Sequence, residues 1–261
     1  MTVVTDELKL SIYEKIKFDS PLYAAMFFKN WKRYKTSAEL FISSSGVKQH
    51  DTVLDYGCGF PFVVNILTEL GYIVTGYEPY AGEDELHITK LLGMEKNYQT
   101  KLDLQIQYDH ILMIDVIEHL AVIKPLMEEI HRLIKPGGTL FISTPNVMRF
   151  DMWKKFVSRK TGHPTYIMKY LKASDNFRNH QREFTMQELL IAVKHFNFNQ
   201  ILLQTIRDTQ PSIADLNAYH KLLGDQQTFR TSSWATLQNF ILNFFPASFK
   251  NNNLFVTARR S

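Results

Sequence analysis

The sequence contains a single cysteine, Cys58, in 261 residues, which excludes an internal disulfide. The N-terminal segment lacks the basic-then-apolar pattern of a secretory signal. No run of about 18 uninterrupted apolar residues occurs, so a membrane-spanning helix is not expected. Together these absences predict a protein of a reducing, cytoplasmic compartment.

The chain also lacks a strong charge of either sign. Its net charge is +4 and is spread along the sequence without a long basic run, which argues against a nucleic-acid partner. Apolar residues make up 45% of the chain, enough to build a large core. The length favours one α/β domain with insertions over two full domains.

The most informative motif is Val53-Leu-Asp-Tyr-Gly-Cys-Gly-Phe-Pro61, an apolar run followed by an acidic residue and a Gly-x-Gly turn. Gly57 and Gly59 permit the tight turn and close backbone approach that a bound cofactor needs. The third glycine of a dinucleotide fingerprint is missing, since position 62 is Phe. The motif therefore favours an adenosyl ligand over a pyrophosphate, and it argues against a nicotinamide-dependent oxidoreductase.

A second apolar run, Tyr72 to Tyr80, ends in a carboxylate. Glu78 stands 21 residues after Gly57 in the sequence. An acidic residue at the end of the second strand of such a unit can accept hydrogen bonds from both hydroxyls of a ribose. Glu78 is therefore a predicted ribose ligand.

From Thr52 to about Asn146, short β-branched runs alternate with helical patterns, which is typical of βαβ units and a parallel sheet. Residues 1–50 carry aromatic-rich amphipathic segments instead, including 21–32 and 37–44, and are predicted to be helical. Thr185 and Glu188 have the spacing of a capping box and open another predicted helix. The predicted strands are 52–56, 72–78, 110–115, 138–144, 201–206 and 254–258, and the predicted later helices are 122–134 and 185–196.

Four blocks in this order resemble the class I S-adenosylmethionine-dependent methyltransferases over roughly residues 35–205. The blocks are Val53–Pro61, Val74–Tyr80, Tyr108–Leu120 and Leu133–Asn146. The resemblance implies a Rossmann-like α/β fold, in which a seven-stranded sheet, mostly parallel with a final antiparallel strand, is flanked by helices. It also implies that N-terminal helices and late insertions form a lid.

The predicted plan is one domain in three parts. Residues 1–45 form a helical lid, residues 46–206 form the cofactor-binding core with an insertion at 147–182, and residues 207–261 hold an aromatic-rich insertion and the last strand. Segment 234–249 has an apolar face for which packing in the core is the default, but the face could also cover the pocket, form a dimer contact or rest on a bilayer surface. Peripheral membrane contact and the oligomeric state are therefore left open.

A second constellation follows the strand predicted at 110–115. Asp115, Glu118 and His119 stand at i, i+3 and i+4, so one helical turn would point them the same way. The carboxyl edge of the sheet, where they lie, is where open α/β folds bind ligands. Oxygen ligands with an imidazole suit Mg²⁺ or Mn²⁺. Two alternatives need no metal. His119 could act as a general acid or base, or Asp115 and Glu118 could have no role beyond capping a helix.

This block is similar to the Glu-x-x-Glu-His block of the small-RNA 2′-O-methyltransferases and the ubiquinone-pathway O-methyltransferases, where it helps to bind a divalent metal that positions a hydroxyl. A further histidine completes the set there, and its match here is His180. The resemblance implies Asp115, Glu118, His119 and His180 as metal ligands and the last three as catalytic residues. The present sequence departs from both groups at Asp115, whose shorter arm favours contact through a water.

The resemblance and the motif positions also assign contacts to S-adenosylmethionine. The backbone at Gly57 and Gly59 faces the methionine portion, and Asp55 orients this loop or holds the amino group through a water. Glu78 binds the ribose. The other assigned contacts are Pro79 and Tyr80 at the adenine, Asp115 at the sheet edge, and Asp103, chosen only by elimination, as the acidic residue of the third strand.

Methyl transfer from a sulfonium is an in-line displacement that needs positioning and removal of the acceptor proton. An alcohol holds its proton far above neutral pH, so the metal cluster favours an oxygen acceptor. The sequence predicts a methyltransferase that acts on a hydroxyl of a small-molecule or glycan-linked acceptor. The alternatives are a nucleic-acid 2′-O-methyltransferase and a cofactor-binding, non-catalytic partner protein.

Overall fold

A computed structural model describes residues 4–150, 152, 157, 180–206, 213–222, 224, 246 and 251–261. Within these residues the chain forms a seven-stranded sheet with the strand order β3-β2-β1-β4-β5-β7-β6. The strands are β1 Thr52–Tyr56, β2 Ile73–Tyr77, β3 Tyr98–Gln99, β4 Tyr108–Ile114, β5 Ile134–Pro145, β6 Phe198–Ile206 and β7 Asn253–Arg260.

The sheet is mostly parallel. Strands β3, β2, β1, β4 and β5 run parallel to one another, and β7 runs antiparallel to both β5 and β6. This arrangement confirms the fold class predicted from the sequence. The pattern did not predict β3, because this strand has only two residues and is too short to show alternation.

Helices cover both faces of the sheet. One core cluster packs α1 to α4 against one face, and a second packs α5 and α6 against the other, because successive strand residues such as Val53 and Leu54 point to opposite sides. The predicted capping box opens α6, where Thr185 and Glu188 exchange hydrogen bonds between side chain and backbone. The helices are α1 Asp6–Ile16, α2 Pro21–Ser45, α3 Phe62–Glu69, α4 Glu83–Leu91, α5 Lys124–Leu133, α6 Met186–His195 and α7 Ile213–Leu222, with a 3₁₀ turn at Ile117–His119.

The N-terminal helix α2 is continuous, although the sequence pattern predicts two separate segments. It packs against α3, α7 and strands of the sheet. Near its start, the ring of Tyr23 lies 4.8 Å from that of Phe60, and the ring of Phe27 lies 4.8 Å from that of Phe62. Since Phe60 and Phe62 follow the Gly-x-Gly turn, α2 lies over the side of the sheet where the cofactor motif is found.

Two predicted segments fall largely outside the described residues. These are the insertion at 147–182 and the apolar segment 234–249, whose predicted roles stay predictions. Among the residues that the structure describes, no helix is long and apolar enough to cross a membrane.

Candidate active site

The glycine loop has the conformation that its sequence requires. Gly57 and Gly59 have φ angles of 76° and 53°, in the left-handed region that favours glycine. A Cβ atom at Gly57 would lie 2.8 Å from Cγ2 of Val116. The N–H of Gly57 and that of Cys58 donate to the carbonyl of Tyr77 at 2.7 and 3.1 Å, which ties the loop to the end of β2. A side chain is therefore excluded at Gly57 by contact with Val116, and at Gly59 it is disfavoured by the backbone conformation alone.

Glu78 lies beside this loop. Its carboxylate is buried and accepts hydrogen bonds from the N–H of Gly59 through Oε2 and from the N–H of Tyr80 through Oε1, both at 3.1 Å. Pro79 and Tyr80 follow it and are exposed. The structure thus places the predicted ribose ligand and the predicted adenine contacts in one short segment next to the glycine turn.

Asp55, in β1 just before the glycine turn, is a buried carboxylate. Its side chain is 2% exposed, and Oδ1 has no hydrogen-bond partner among the described residues. Burial, and then the charge of Glu78, raises the pKa of Asp55 to about 7. A buried carboxylate without a partner is costly. The amino group of the methionine portion of S-adenosylmethionine is a cation that would supply the missing partner, so these residues fit the cofactor.

The predicted third-strand contact is placed differently. Asp103 is exposed in the loop before β4, and its carboxylate accepts the N–H of Gln105 in that loop. The residue of β3 that contacts the glycine turn is Tyr98, whose hydroxyl donates to the carbonyl of Gly59 at 2.9 Å. Sequence reasoning missed Tyr98 because a strand of two residues carries no readable pattern.

Asp115 does not share a helical face with Glu118 and His119, so that prediction was wrong. Its φ angle is 54°, which takes the residue out of the turn that follows. Its Oδ2 accepts from Nη1 of Arg33 at 2.7 Å, and its Oδ1 accepts from the hydroxyl of Ser143 at 3.2 Å. The 3₁₀ turn has no side-chain cap, so the helix-capping alternative is not observed either. Asp115 instead anchors α2 to the sheet edge.

The structure does bring Glu118, His119 and His180 together. Each offers one potential ligand atom, and these atoms lie within 4.8 Å of one another. His180 comes from a distant segment that reaches the cluster because the N–H groups of Gln181 and Arg182 donate to the carbonyl of Glu118 at 2.7 and 3.1 Å. The rings of His119 and His180 meet edge to face at 5.0 Å between centroids. Three of the four predicted metal ligands therefore converge.

Glu118 is the buried member of this cluster. It is fully buried, its Oε2 accepts from the hydroxyl of Thr144 at 2.9 Å, and its Oε1 has no hydrogen-bond partner among the described residues. Burial, and then the charge of Asp115, raises the pKa of Glu118. A divalent cation would satisfy Oε1 and offset the cost of the buried charge. One carboxylate with two imidazoles suits Mn²⁺ or another first-row ion better than Mg²⁺, which prefers oxygen ligands.

Arg33 is a site residue that sequence reasoning missed. It lies in the middle of α2, and its guanidinium reaches Asp115 across the sheet edge. Burial lowers the pKa of Arg33, but the charge of Asp115 and the smaller contributions of Tyr34 and Glu118 together outweigh burial and raise the pKa above its ordinary value. The sequence signal for Arg33 was the interruption of the apolar pattern between segments 21–32 and 37–44. At this interruption the helix places Arg33 against the site.

We expect Arg33→Met to lower the free energy of unfolding by about 1–2 kcal/mol, because Asp115 would lose its charged partner while both side chains are only partly exposed. Urea denaturation measures the change. The matched control is Lys15→Met, which removes a cation from an exposed pair with Glu69 and should cost less than about 0.5 kcal/mol. Equal effects in the two variants would contradict a special role for the Arg33 pair.

The sheet order, the glycine turn and the carboxylate at the end of β2 define the fold of a class I S-adenosylmethionine-dependent methyltransferase. The sequence model of the methyltransferase-domain family matches residues 31–203. The chain belongs to this family, as the resemblance of its four blocks predicts.

Curated relatives include ubiquinone biosynthesis O-methyltransferases. The protein of Pseudomonas paraeruginosa is 30% identical in an alignment of 105 positions that covers 36% of this chain and 44% of that protein. The protein of Rhodopseudomonas palustris is 26% identical in an alignment of 146 positions that covers 54% of this chain and 54% of that protein. The chain thus covers less than two thirds of the length of these relatives.

Solved structures share the fold across most of the chain. A Thermotoga maritima S-adenosylmethionine-dependent methyltransferase, described as a possible histamine N-methyltransferase, has a TM-score of 0.56 at 14% identity and covers 97% of this chain and 100% of its own. A Haemonchus contortus phosphoethanolamine N-methyltransferase in complex with S-adenosylmethionine has a TM-score of 0.53 at 15% identity, covering 94% of this chain and 59% of its own. At these identities the likeness concerns the fold alone.

Proposed function

We propose that this protein transfers the methyl group of S-adenosylmethionine to a hydroxyl oxygen, with a divalent cation held by Glu118, His119 and His180. One observation carries the proposal. Three potential ligand atoms from two distant segments lie within 4.8 Å of one another, and the buried carboxylate among them has an oxygen without a hydrogen-bond partner in the described part of the chain.

Separate residues of the chain would bind the cofactor and position the acceptor. Asp55 would hold the amino group of the cofactor, Glu78 the ribose hydroxyls, and the bare backbone of the glycine loop would allow close approach of the methionine portion. Glu118, His119 and His180 would fix the acceptor beside the methyl group. A divalent cation in this cluster would supply Lewis-acid activation, which lowers the pKa of the acceptor hydroxyl.

The proposed acceptor is a small-molecule or glycan-linked hydroxyl compound. The names of the curated relatives support oxygen as the acceptor atom. The net charge of +4 gives little support to a nucleic-acid acceptor. The presence of the glycine turn, Glu78 and the convergent cluster argues against the alternative of a non-catalytic partner protein. A cytoplasmic location is part of the proposal, and membrane contact through 234–249 stays one of the open predictions for that segment.

The test is calorimetric titration with S-adenosylhomocysteine, followed by methyl transfer from labelled S-adenosylmethionine to a panel of alcohols, phenols and amines. Each assay is run after EDTA treatment and after adding back Mn²⁺ or Mg²⁺. We expect transfer to hydroxyl compounds that EDTA abolishes and Mn²⁺ restores better than Mg²⁺. Transfer to amines that EDTA does not affect would overturn the proposal, and cofactor binding without any transfer would favour the non-catalytic alternative.

A further inference from the structure

We propose that Glu183 is a positioning residue that fixes the imidazole of His180 in the tautomer protonated at Nδ1. In this tautomer Nε2 carries the lone pair. The use of that lone pair by a cation rests on the proposed function, but the tautomer itself is a property of the chain alone. Glu183, which stands three residues after His180, was assigned no role from the sequence.

The geometry between the two side chains leads to this assignment. Nδ1 of His180 lies 2.8 Å from Oε1 of Glu183, whose side chain is 1% exposed. An ionised carboxylate has no proton to donate and can only accept a hydrogen bond. A hydrogen bond at this distance therefore requires the proton on Nδ1 of the histidine. In the neutral ring, the tautomer is set by this contact.

Arg149 keeps Glu183 an acceptor and holds it in place. Nη2 of Arg149 donates to Oε1 of Glu183 at 3.0 Å, and Nη1 donates to Oε2, so the guanidinium engages both carboxylate oxygens. The same Nη1 donates to the carbonyl of Asn146 at 3.0 Å. A bidentate arginine partner favours the ionised carboxylate and restricts its orientation. Glu183 is thereby fixed before any ligand binds.

The backbone around Glu183 is anchored as firmly as the side chain. Asn146, just after β5, forms a bridge with Phe184, and the N–H of Val147 donates to the carbonyl of Phe184 at 3.1 Å. On the other side, the backbone bonds from Gln181 and Arg182 to Glu118 hold the segment against the cluster. These backbone contacts therefore fix the position of His180. Glu183 then defines the rotation and the tautomer of the imidazole ring.

Glu183 is not itself a member of the group of potential ligands formed by Glu118, His119 and His180. Both of its oxygens are occupied by Arg149, and one also contacts His180. A carboxylate that contacts the far nitrogen of a histidine orients the ring and raises its basicity as a ligand. Removing such a partner typically lowers metal affinity by about 10–100-fold.

The experiment is ¹⁵N NMR of the histidine rings in the EDTA-treated protein, with His180→Gln used to assign the signals. We expect His180 to show the tautomer with hydrogen on Nδ1, and Glu183→Leu, which has no hydrogen-bond acceptor in its side chain, to lose this preference. A merely structural role of Glu183 would leave the tautomer of the variant unchanged. A wild-type His180 protonated at Nε2, or an unchanged tautomer in Glu183→Leu, would overturn the proposal without reference to any metal.

Mn²⁺ titration of the same samples separates this inference from the proposed function. We expect Glu183→Leu to bind Mn²⁺ about 10–100-fold more weakly than the wild type while its affinity for S-adenosylhomocysteine is unchanged. Glu188→Leu is the matched control, because Glu188 contacts Arg182 and the N-terminus of α6 but not His180. If the wild type binds no Mn²⁺ while the tautomer still depends on Glu183, the positioning role stands and the metal-assisted function fails.

Discussion

Replacing Glu118 with glutamine is expected to lower kcat by about 10²–10⁴-fold, the range found when a group that handles the acceptor proton is lost. The amide has nearly the size of the carboxyl and can still accept the hydroxyl of Thr144. It resembles the protonated carboxyl that burial favours, so the fold should be retained. The amide cannot, however, bind a cation or accept a proton as a carboxylate does. Initial rates with the acceptor identified from the panel measure the effect.

The control for this variant is Glu69→Gln, the same chemical change at an exposed carboxylate that pairs with Lys15. Its activity should equal that of the wild type. The free energy of unfolding of Glu118→Gln, from urea denaturation, should be no lower than that of the wild type, because a costly buried ionisable group is removed. An active Glu118→Gln variant would mean that the buried carboxyl serves only as a hydrogen-bond partner of Thr144.

The cofactor side of the site was predictable because its signals are local in the sequence. Gly57, Gly59 and Glu78 each end or follow a strand whose apolar pattern can be read directly, and parallel strands bring their carboxyl ends to one edge. No knowledge of distant contacts was needed to place them. The same reasoning located Glu118 and His119, since both lie in the short turn that follows β4.

The rest of the site depends on contacts between residues far apart in the chain. Arg33 and Asp115 are 82 positions apart, and Arg149 and Glu183 are 34 apart, so no periodicity links them. The prediction for Asp115 failed for a second reason. A helical face was assumed from spacing alone, whereas the backbone at Asp115 is left-handed and the turn begins after it. Spacing predicts a shared face only if the segment is helical throughout.

Helix α2 is a second case in which the sequence pattern alone led to a wrong prediction. The apolar spacing fails in the middle of the helix, which made two shorter segments the natural interpretation. At that point the helix presents Arg33 to the site, so a functional contact replaces an apolar one while the backbone stays helical. An interruption in a pattern can thus mark a site residue as well as the end of an element.

Asp55→Asn is expected to lower the affinity for S-adenosylhomocysteine by about 10–100-fold. The amino group of the ligand would lose a charged hydrogen-bond acceptor, an interaction of about 1.5–3 kcal/mol.

In the wild type, the pKa of Asp55 is about 7 in the free protein because the group is buried and faces Glu78. Only the ionised form attracts the ammonium, so wild-type affinity should rise with pH up to about pH 7 and then level off. Calorimetry between about pH 5.5 and 8 would measure this, and the variant should show no such rise.

The same substitution is expected to stabilise the free protein at high pH, and the sign follows from linkage. The ordinary pKa of 3.8 describes the unfolded chain, while the folded chain holds its proton up to about pH 7. Between these values the folded state binds the extra proton, so wild-type stability falls as pH rises through this window. Asparagine does not titrate. Relative to wild type, the variant should therefore gain on the order of a few kcal/mol between pH 4 and pH 8.

Asp109→Asn tests whether this behaviour belongs to the cofactor site. Asp109 lies near the start of β4, where Lys135 and Thr52 bind its carboxylate, and these hydrogen bonds hold its pKa below the ordinary value although burial alone would raise it. Asp109→Asn should therefore destabilise the protein at pH 8, whereas Asp55→Asn should stabilise it. Asp109→Asn should also leave cofactor affinity unchanged, whereas Asp55→Asn should lower it. If Asp55→Asn lost affinity and stability together, Asp55 would be a structural support of the loop and not the partner of the cofactor's amino group. If Asp55→Asn instead lost affinity but gained stability, the fold would tolerate an unfavourable buried carboxylate whose partner is supplied by the bound ligand.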